Sequence, residues 1–189
     1  MPTIGVLALQ GDFEAHARAF EQAGAKAVEV RTAEELARVD GLTIPGGEST
    51  TMLKLIHYEN LWGALVDYAR RRPVLGTCAG AILMAKEVTH PSQESFGVMD
   101  IDVERNAYGR QLDSSVAEVE SVWGPMEAVF IRAPIIRRVG EGVRVLASYR
   151  GDPVIVEQGR LMVATFHPEL TGDRRVQRAF LEKVEACRE

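Results

Sequence analysis

Short apolar runs alternate with amphipathic stretches along the first half of the chain. The run 4–9 predicts a buried strand, and the next stretch predicts a helix that Asp12 caps and Gly24 ends, with Phe13, Ala17 and Phe20 on its apolar face. Further strands are predicted at 27–30, 41–44 and 73–76, and further helices at 32–37, after Ser49 as the cap, at 61–68 and at 81–85. This alternation is typical of parallel strands joined by helices on both faces of an open sheet.

The second half is dominated by strand patterns, at 98–104, 117–122, 128–131, 143–149, 154–158 and 161–166. We expect these strands to pair in antiparallel fashion, and Gly159-Arg160 predicts a two-residue hairpin turn between the last two. A final helix over 173–185 carries Val176, Phe180 and Val184 on one face. The predicted fold class is α/β: an open, mostly parallel sheet with helices on both faces, plus antiparallel strands in the second half.

Composition and charge limit the number of domains and the possible binding partners. The 189 residues contain no repeat, low-complexity tract or linker, so we expect one domain over 1–189. The net charge of −5 disfavours nucleic acid, because phosphate contacts need an excess of Lys and Arg, and the short runs 70–72 and 137–138 are expected on solvated helix faces. Two cysteines exclude a disulfide framework and a Cys/His zinc site. Without a basic leader or a run of ~20 apolar residues, we expect a cytoplasmic protein with no membrane contact.

The segment Gly76-Thr77-Cys78-Ala79-Gly80 is the strongest candidate for chemistry. It has G-x-C-x-G spacing between a strand and a helix, the pattern of a nucleophile elbow with cysteine in place of serine. A sharp turn crowds its neighbours, which favours glycine on both sides, and the helix N-terminus favours a thiolate. The alternative is a buried cysteine that acts as a small apolar residue. Cys187, close to the C-terminus, is expected to have no function.

The segment Phe166-His167-Pro168-Glu169 offers a base for such a nucleophile. His167 can take the thiol proton, and the Glu169 carboxylate can hold the His167 tautomer. An ordinary surface turn is the alternative for an isolated His-Pro-Glu. The other histidines have no such neighbours, so His16 and His57 are predicted on helix faces and His90 in a loop.

Backbone N–H groups are suited to a developing oxyanion because they are fixed in place. Ala79, directly after the cysteine, can supply one, and Gly47 in the turn Pro45-Gly46-Gly47-Glu48-Ser49 can supply another. That turn could instead cradle a phosphate. Glu48 argues against a phosphate site, as does the missing P-loop lysine.

The ordered motifs PGGEST, GTCAG and FHPE together resemble the class I, triad-type glutamine amidotransferase family. The resemblance implies a glutaminase with Cys78 as nucleophile, His167 as base, Glu169 as orienting carboxylate and Gly47 and Ala79 as oxyanion donors. Many members have G-x-C-x-G-x-Q at the elbow. Ile82 stands at the glutamine position here, so a contact used elsewhere in the family is absent.

Longer matches resemble the glutaminase-subunit family of pyridoxal 5'-phosphate synthases. They are IGVLALQGD from Ile4, PGGESTTM, VERNAYGRQLDS from Val103, FIRAP from Phe130 and FHPELTGD. The resemblance implies that L-glutamine is held by the residues Gly46, Gly47, Glu48, Arg105, Ile131 and Arg132. An arginine suits the substrate carboxylate, which a guanidinium can bind in bidentate fashion, but the residues alone do not choose among the arginines.

The same resemblance implies no metal or organic cofactor, and a hetero-oligomer with a separate pyridoxal 5'-phosphate synthase subunit that consumes the ammonia. The loop Gln10-Gly11-Asp12 is predicted at the same sheet edge as Cys78, so we expect the partner to dock there. Two other functions remain open from the residues. One is an α/β-hydrolase-like cysteine esterase, and the other is a non-enzymatic cysteine redox sensor.

Overall fold

The computed structural model describes residues 1–106 and 114–188, which form two β-sheets and six α-helices. The strands are β1 Thr3–Leu7, β2 Lys26–Val30, β3 Gly41–Ile44, β4 Val74–Thr77, β5 Ala85–Thr89, β6 Met99–Glu104, β7 Ser114–Ser121, β8 Gly124–Ile131, β9 Ile135–Val139, β10 Arg144–Tyr149, β11 Asp152–Gln158 and β12 Leu161–Ala164. The helices are α1 Phe13–Gln22, α2 Ala33–Leu36, α3 Ser49–Tyr58, α4 Trp62–Arg71, α5 Ala79–Met84 and α6 Arg175–Ala186.

The nine-stranded sheet has the order β2-β1-β3-β4-β12-β11-β10-β7-β8. The strands from β2 to β12 in this order are parallel, and the rest pair in antiparallel fashion. The predicted hairpin is confirmed, since Gln158 pairs with Leu161 across Gly159-Arg160. The expectation of antiparallel pairing throughout the second half is wrong for β12, which lies parallel to β4, and for β6, which lies parallel to β5.

Helices cover both faces of the large sheet, as the sequence predicts. One apolar cluster contains Phe20 of α1 together with Val176, Phe180 and Val184 of α6. Helices α2 to α5 contribute to a second cluster, for example through Met52. Burying apolar residues on each face is what holds such a layered fold together.

The buried face of α1 agrees with the predicted one at Phe20 but differs at Phe13 and Ala17, which are only partly buried. Ala15, His16, Ala19 and Phe20 are buried, whereas Phe13 is only half-buried. The helix begins as predicted, because Asp12 caps it by accepting from the Ala15 N–H at 3.1 Å. The spacing of the apolar residues therefore located the helix but missed which polar residue it carries inward.

Strands β5 and β9 were not predicted, and together with β6 they form a second, three-stranded sheet in the order β5-β6-β9. The run 137–138 lies on β9 and not on a helix face. There, Arg138 Nε lies 2.7 Å from Asp102 and Arg138 Nη2 lies 2.7 Å from Asp100, while Arg137 pairs with Glu104. Cross-strand ion pairs explain why arginines occupy an exposed strand surface.

Candidate active site

Cys78 lies in the sharp turn between β4 and α5. Its backbone has φ 48° and ψ −104°, a conformation that a residue with a side chain adopts only under strain. Cys78 is 5% exposed, and Ala79 begins α5, so the Ala79 N–H has no acceptor within its own helix. Strained, poorly populated backbone conformations tend to cluster at functional sites.

Steric crowding accounts for the two glycines of the elbow. A Cβ on Gly76 would lie 2.7 Å from the backbone of Gly80, and a Cβ on Gly80 would lie 2.3 Å from the carbonyl oxygen of Ile44. Neither position has a positive φ, so close packing rather than backbone conformation excludes a side chain. Strand β4, helix α5 and the end of β3 can approach closely only because these positions lack side chains.

His167 and Glu169 follow β12, the strand next to β4. The His167 N–H donates to the Val129 carbonyl at 2.9 Å, and Pro168–Leu170 form one turn of 3-10 helix. His167 Nδ1 lies 2.7 Å from Glu169 Oε1, and both residues are buried. The structure thus brings Cys78, His167 and Glu169 together.

The electrostatics of this cluster favour charged forms. Burial alone would lower the pKa of His167, but its interactions with Cys78 and Glu169 outweigh burial and raise the pKa to about 10. Burial would raise the pKa of Glu169, yet the hydrogen bond with His167 and the nearby His16 keep that pKa below its usual value. At neutral pH His167 is therefore an imidazolium ion next to an ionised Glu169.

The turn from Pro45 to Glu48 lies directly over the cluster. A Cβ on Gly46 would lie 2.5 Å from His167 Cε1 and 3.2 Å from the Cys78 Cβ, so glycine is needed for this close approach. Gly47 has φ 143°, and a Cβ there would lie 2.2 Å from Gln10 Oε1. The same Gln10 oxygen accepts from the Glu48 N–H at 3.0 Å, which ties the turn to the loop after β1.

Glu48, and not Ser49 as predicted, is the N-cap of α3. Its carboxylate accepts from the N–H groups of Thr50 at 3.0 Å and Thr51 at 2.7 Å. Burial acts to raise the pKa of Glu48, but hydrogen bonds from Thr51 and Thr50 outweigh it and lower the pKa to about 2. Because this carboxylate occupies the helix N-terminus, the geometry disfavours the alternative of a phosphate there.

A pocket of about 710 Å³ opens in front of Cys78 and His167. Its lining residues are Gly47, Glu48, Ser49, Cys78, Ile82, Arg105, Asn106, Ser114, Ile131, Arg132, Pro134 and His167. The pocket therefore brings together most of the residues predicted to bind glutamine, while the part of the VERNAYGRQLDS motif at 107–113 lies outside the described residues.

Arg105 is held at the pocket wall. Its Nη2 donates to Thr50 Oγ1 at 3.1 Å and lies 3.6 Å from Glu48 Oε1. Across the pocket, the Ile131 carbonyl lies 3.7 Å from Cys78 Sγ, and Arg132 has φ 46°. A guanidinium and backbone groups thus face the same space as the thiol.

His16 is the residue that sequence reasoning missed. It is 1% exposed, and its Nε2 lies 3.4 Å from Glu169 Oε2. No local motif marks it, because its partners come from distant parts of the chain. Its place on the buried face of α1 was the one available signal.

The described part of the chain contains neither a candidate metal site nor a membrane-spanning helix. No group of three or more His, Cys, Asp or Glu side chains there could hold a metal ion. Among residues 1–106 and 114–188, no helix is long and apolar enough to span a bilayer.

Comparison with known proteins identifies relatives over nearly the whole chain. A model of the SNO glutamine amidotransferase family matches residues 6–186. The pyridoxal 5'-phosphate synthase subunit PdxT of Solibacter usitatus is 61% identical, with 97% of this chain and 100% of the relative covered. The protein of the same name from Koribacter versatilis is 52% identical, with 96% and 95% covered.

Solved structures agree with this match. A crystal structure described as a glutamine amidotransferase has a TM-score of 0.90 at 46% identity, with 96% of this chain and 98% of the other covered. The structure of PurLQS from Thermotoga maritima has a TM-score of 0.70 at 14% identity, with 99% and 97% covered. At that identity the likeness concerns the fold alone.

Proposed function

The chain belongs to the SNO glutamine amidotransferase family, and from this premise we propose that it hydrolyses L-glutamine to L-glutamate and ammonia at Cys78. One observation carries the proposal: a cysteine in a strained elbow contacts a histidine that is paired with a buried carboxylate, at the wall of a pocket. Nucleophile, base and orienting group in this order are what acyl transfer through a thiol requires. Residues 1–189 act as a single glutaminase domain in this proposal.

The first half-reaction forms a thioester. The Cys78 thiolate attacks the side-chain carboxamide carbon of glutamine, and the N–H groups of Gly47 and Ala79 stabilise the oxyanion. The His167 imidazolium donates its proton to the departing nitrogen, which leaves as ammonia. The raised pKa of His167 supports this step, because a protonated imidazole can donate to the departing nitrogen.

The second half-reaction regenerates the enzyme. His167, now neutral, removes a proton from water, and the resulting hydroxide attacks the γ-glutamyl thioester carbon. Collapse of the tetrahedral intermediate releases L-glutamate and the Cys78 thiolate. Glu169 stabilises the imidazolium ion in both halves, and the reaction uses no metal or organic cofactor.

Different groups in the pocket are assigned to different parts of the substrate. Arg105 is the group we assign to the α-carboxylate of glutamine, with its orientation maintained by Thr50 and Glu48. Backbone groups of Gly46, Gly47, Ile131 and Arg132 are assigned to the rest of the substrate. Ile82 lines the pocket at the position where many class I members have glutamine, so it contributes apolar contact only.

We further propose a partner. Relatives at 61% and 52% identity are named as subunits of pyridoxal 5'-phosphate synthase, and this supports a hetero-oligomer in which a separate synthase subunit receives the ammonia. The complex would act in the cytoplasm. The Gln10 loop is the docking element we favour, because its side chain contacts the turn that carries Gly47.

The experiment is to measure glutamate release from L-glutamine by this protein alone and with a pyridoxal 5'-phosphate synthase subunit. We expect release that the synthase subunit stimulates and that Cys78→Ala abolishes, whereas Cys187→Ser should leave it unchanged. No release under either condition would contradict the proposal. Ester hydrolysis without glutamine turnover would then favour the esterase alternative, and selective peroxide oxidation of Cys78 would favour the redox sensor.

A further inference from the structure

A fourth buried titratable side chain lies against the Cys78 cluster without a role in the mechanism above. His16 Nε2 is 3.4 Å from Glu169 Oε2 and 3.2 Å from Thr77 Oγ1. Thr77 directly precedes Cys78, so one imidazole contacts both the orienting carboxylate and the strand end that carries the nucleophile. His16 belongs to α1, so a third element joins β4 and the segment after β12.

The surroundings of His16 favour one tautomer. A carboxylate can only accept, so a proton on Nε2 is attracted by Glu169, whereas a lone pair there would face negative charge. His16 Nδ1 is buried and has no hydrogen-bond partner in the described part of the chain. If the proton were on Nδ1, a buried N–H would lack a partner and the Nε2 lone pair would face the Glu169 carboxylate. A buried Nδ1 acceptor without a partner costs less free energy than these two effects together. These contacts favour the tautomer of His16 with the proton on Nε2.

The ring is also neutral. Burial lowers the pKa of His16 and outweighs the attraction of Glu169 and Asp12, and the charge of His167 lowers this pKa further. A neutral donor satisfies the carboxylate without competing with the His167 imidazolium for its charge.

Only one oxygen of Glu169 has a hydrogen-bond partner among the described residues. Oε1 lies 2.7 Å from His167 Nδ1, whereas the buried Oε2 accepts no hydrogen bond and lies 3.4 Å from His16 Nε2, so a proton on Nε2 would be a donor close to it. Two donors on different oxygens fix the plane of a carboxylate, whereas one donor leaves it free to turn. The plane matters here because it sets the direction of the His167 ring.

We propose that His16 is a positioning residue of the glutaminase site, which donates from Nε2 to Glu169 Oε2 and thereby holds the carboxylate that orients His167. The proposal deepens the proposed function and rests on it for its kinetic consequence. His16 does not contact the substrate, so its loss should lower kcat and leave KM nearly unchanged.

The kinetic test compares two substitutions of similar size. His16→Leu removes the donor and should lower kcat by about tenfold, the scale of a hydrogen bond to a charged group. His16→Gln should restore most of the rate, since the Gln side chain can present an N–H close to the position of Nε2. Phe20→Leu is the matched control, because Phe20 is a buried residue of the same helix that packs on Phe180.

A double-mutant cycle separates positioning from stability. In a Glu169→Gln background, His16→Leu should change kcat by less than about twofold, because the group it acts through is already altered. An equal loss of rate in both backgrounds, or a loss that Phe20→Leu reproduces at the same reduction in stability, would overturn the proposal.

A second measurement needs no glutamine turnover. In a Cys187→Ser background, iodoacetamide reports only on Cys78, whose side chain interacts with His167. We expect His16→Leu to slow this alkylation at neutral pH by about five- to tenfold and His16→Gln to restore it. Unchanged alkylation in His16→Leu would refute the positioning role. If the wild-type protein releases no glutamate, the proposed function fails, and the alkylation rates still decide the role of His16.

Discussion

The two sides of the candidate active site are constructed differently. The nucleophile side is a continuous piece of chain, from Gly76 to Gly80, in which β4 turns directly into α5. The carboxylate side is assembled from His167 and Glu169 after β12 and from His16 on α1, which is 153 residues before Glu169 in the sequence. The elbow and the turn from His167 to Glu169 each leave a local motif, whereas His16, which depends on buried polar neighbours from distant segments, leaves none.

Among substitutions that keep Cys78, the largest expected effect is on the carboxylate side. Glu169→Gln keeps the shape of the side chain but removes the charge that stabilises the His167 imidazolium, and we expect kcat to fall by about 10³–10⁴-fold. Steady-state glutaminase assays with the synthase subunit would measure this. Glu182→Gln, on the exposed surface of α6, is the control and should change nothing. A loss of less than about tenfold for Glu169→Gln would contradict the role assigned to the carboxylate.

The second largest effect is expected for a substitution in the elbow that carries the nucleophile. Gly80→Ala places a Cβ 2.3 Å from the Ile44 carbonyl oxygen, so the elbow must shift. We expect a loss of about 1–3 kcal/mol in the free energy of unfolding and a fall of about 10²-fold in kcat. Urea unfolding and turnover assays would check both values.

Gly63→Ala is the matched control, because no described atom lies within 4 Å of the added Cβ and the position is in α4. It should leave turnover unchanged and stability equal or higher. Equal losses of turnover and stability in Gly80→Ala and Gly63→Ala would contradict the claim that steric crowding requires glycine at position 80.

The same contrast explains what the sequence could predict. The parallel strands, the hairpin at Gly159-Arg160 and the inward face of α6 follow local rules of apolar spacing and turn chemistry, and each is confirmed. The proximity of Cys78 and His167 could also be predicted from the sequence, because neighbouring parallel strands end at the same edge of the sheet.

The missed features depend on distant partners. Strand β5 follows α5 directly, with no turn signal in the sequence between them. The arginines of β9 resemble the exposed face of a helix in the sequence, because the β6 carboxylates that pair with them are distant in the chain. His16 looks like any polar residue of an amphipathic helix until Glu169 packs on it. Long-range pairing decides these cases, and apolar periodicity does not record it.

A smaller effect is expected at Gln10, which lies in the proposed docking loop. Gln10→Ala removes the acceptor of the Glu48 N–H and loosens the turn that carries Gly47, so turnover stimulated by the synthase subunit should fall by about fivefold. Parallel assays with wild type at equal synthase concentrations would measure the ratio. Normal stimulated turnover in Gln10→Ala would count against docking at this loop.

The smallest effect is on stability. Glu48→Ala removes the N-cap of α3 and should cost about 1 kcal/mol at neutral pH. The pKa of Glu48 is lowered to about 2 in the folded protein, so its contribution is fully present above the unfolded value of 4.5 and is lost as pH falls from there towards 2.

Urea unfolding across that pH range should therefore bring Glu48→Ala and wild type together at low pH. Glu59→Ala, at the other end of α3, is the control and should cost nothing at any pH, since a carboxylate there does not favour the helix dipole. A constant difference between Glu48→Ala and wild type would contradict the capping role of the carboxylate.

The central claim, that Cys78 is the nucleophile of a glutaminase, is tested most directly by a reactive diazo-ketone analogue of glutamine. With the synthase subunit present, peptide mass spectrometry should locate one adduct on Cys78 and none on Cys187, and excess L-glutamine should prevent it. Labelling of both cysteines without protection by L-glutamine, or no adduct on Cys78, would contradict the claim.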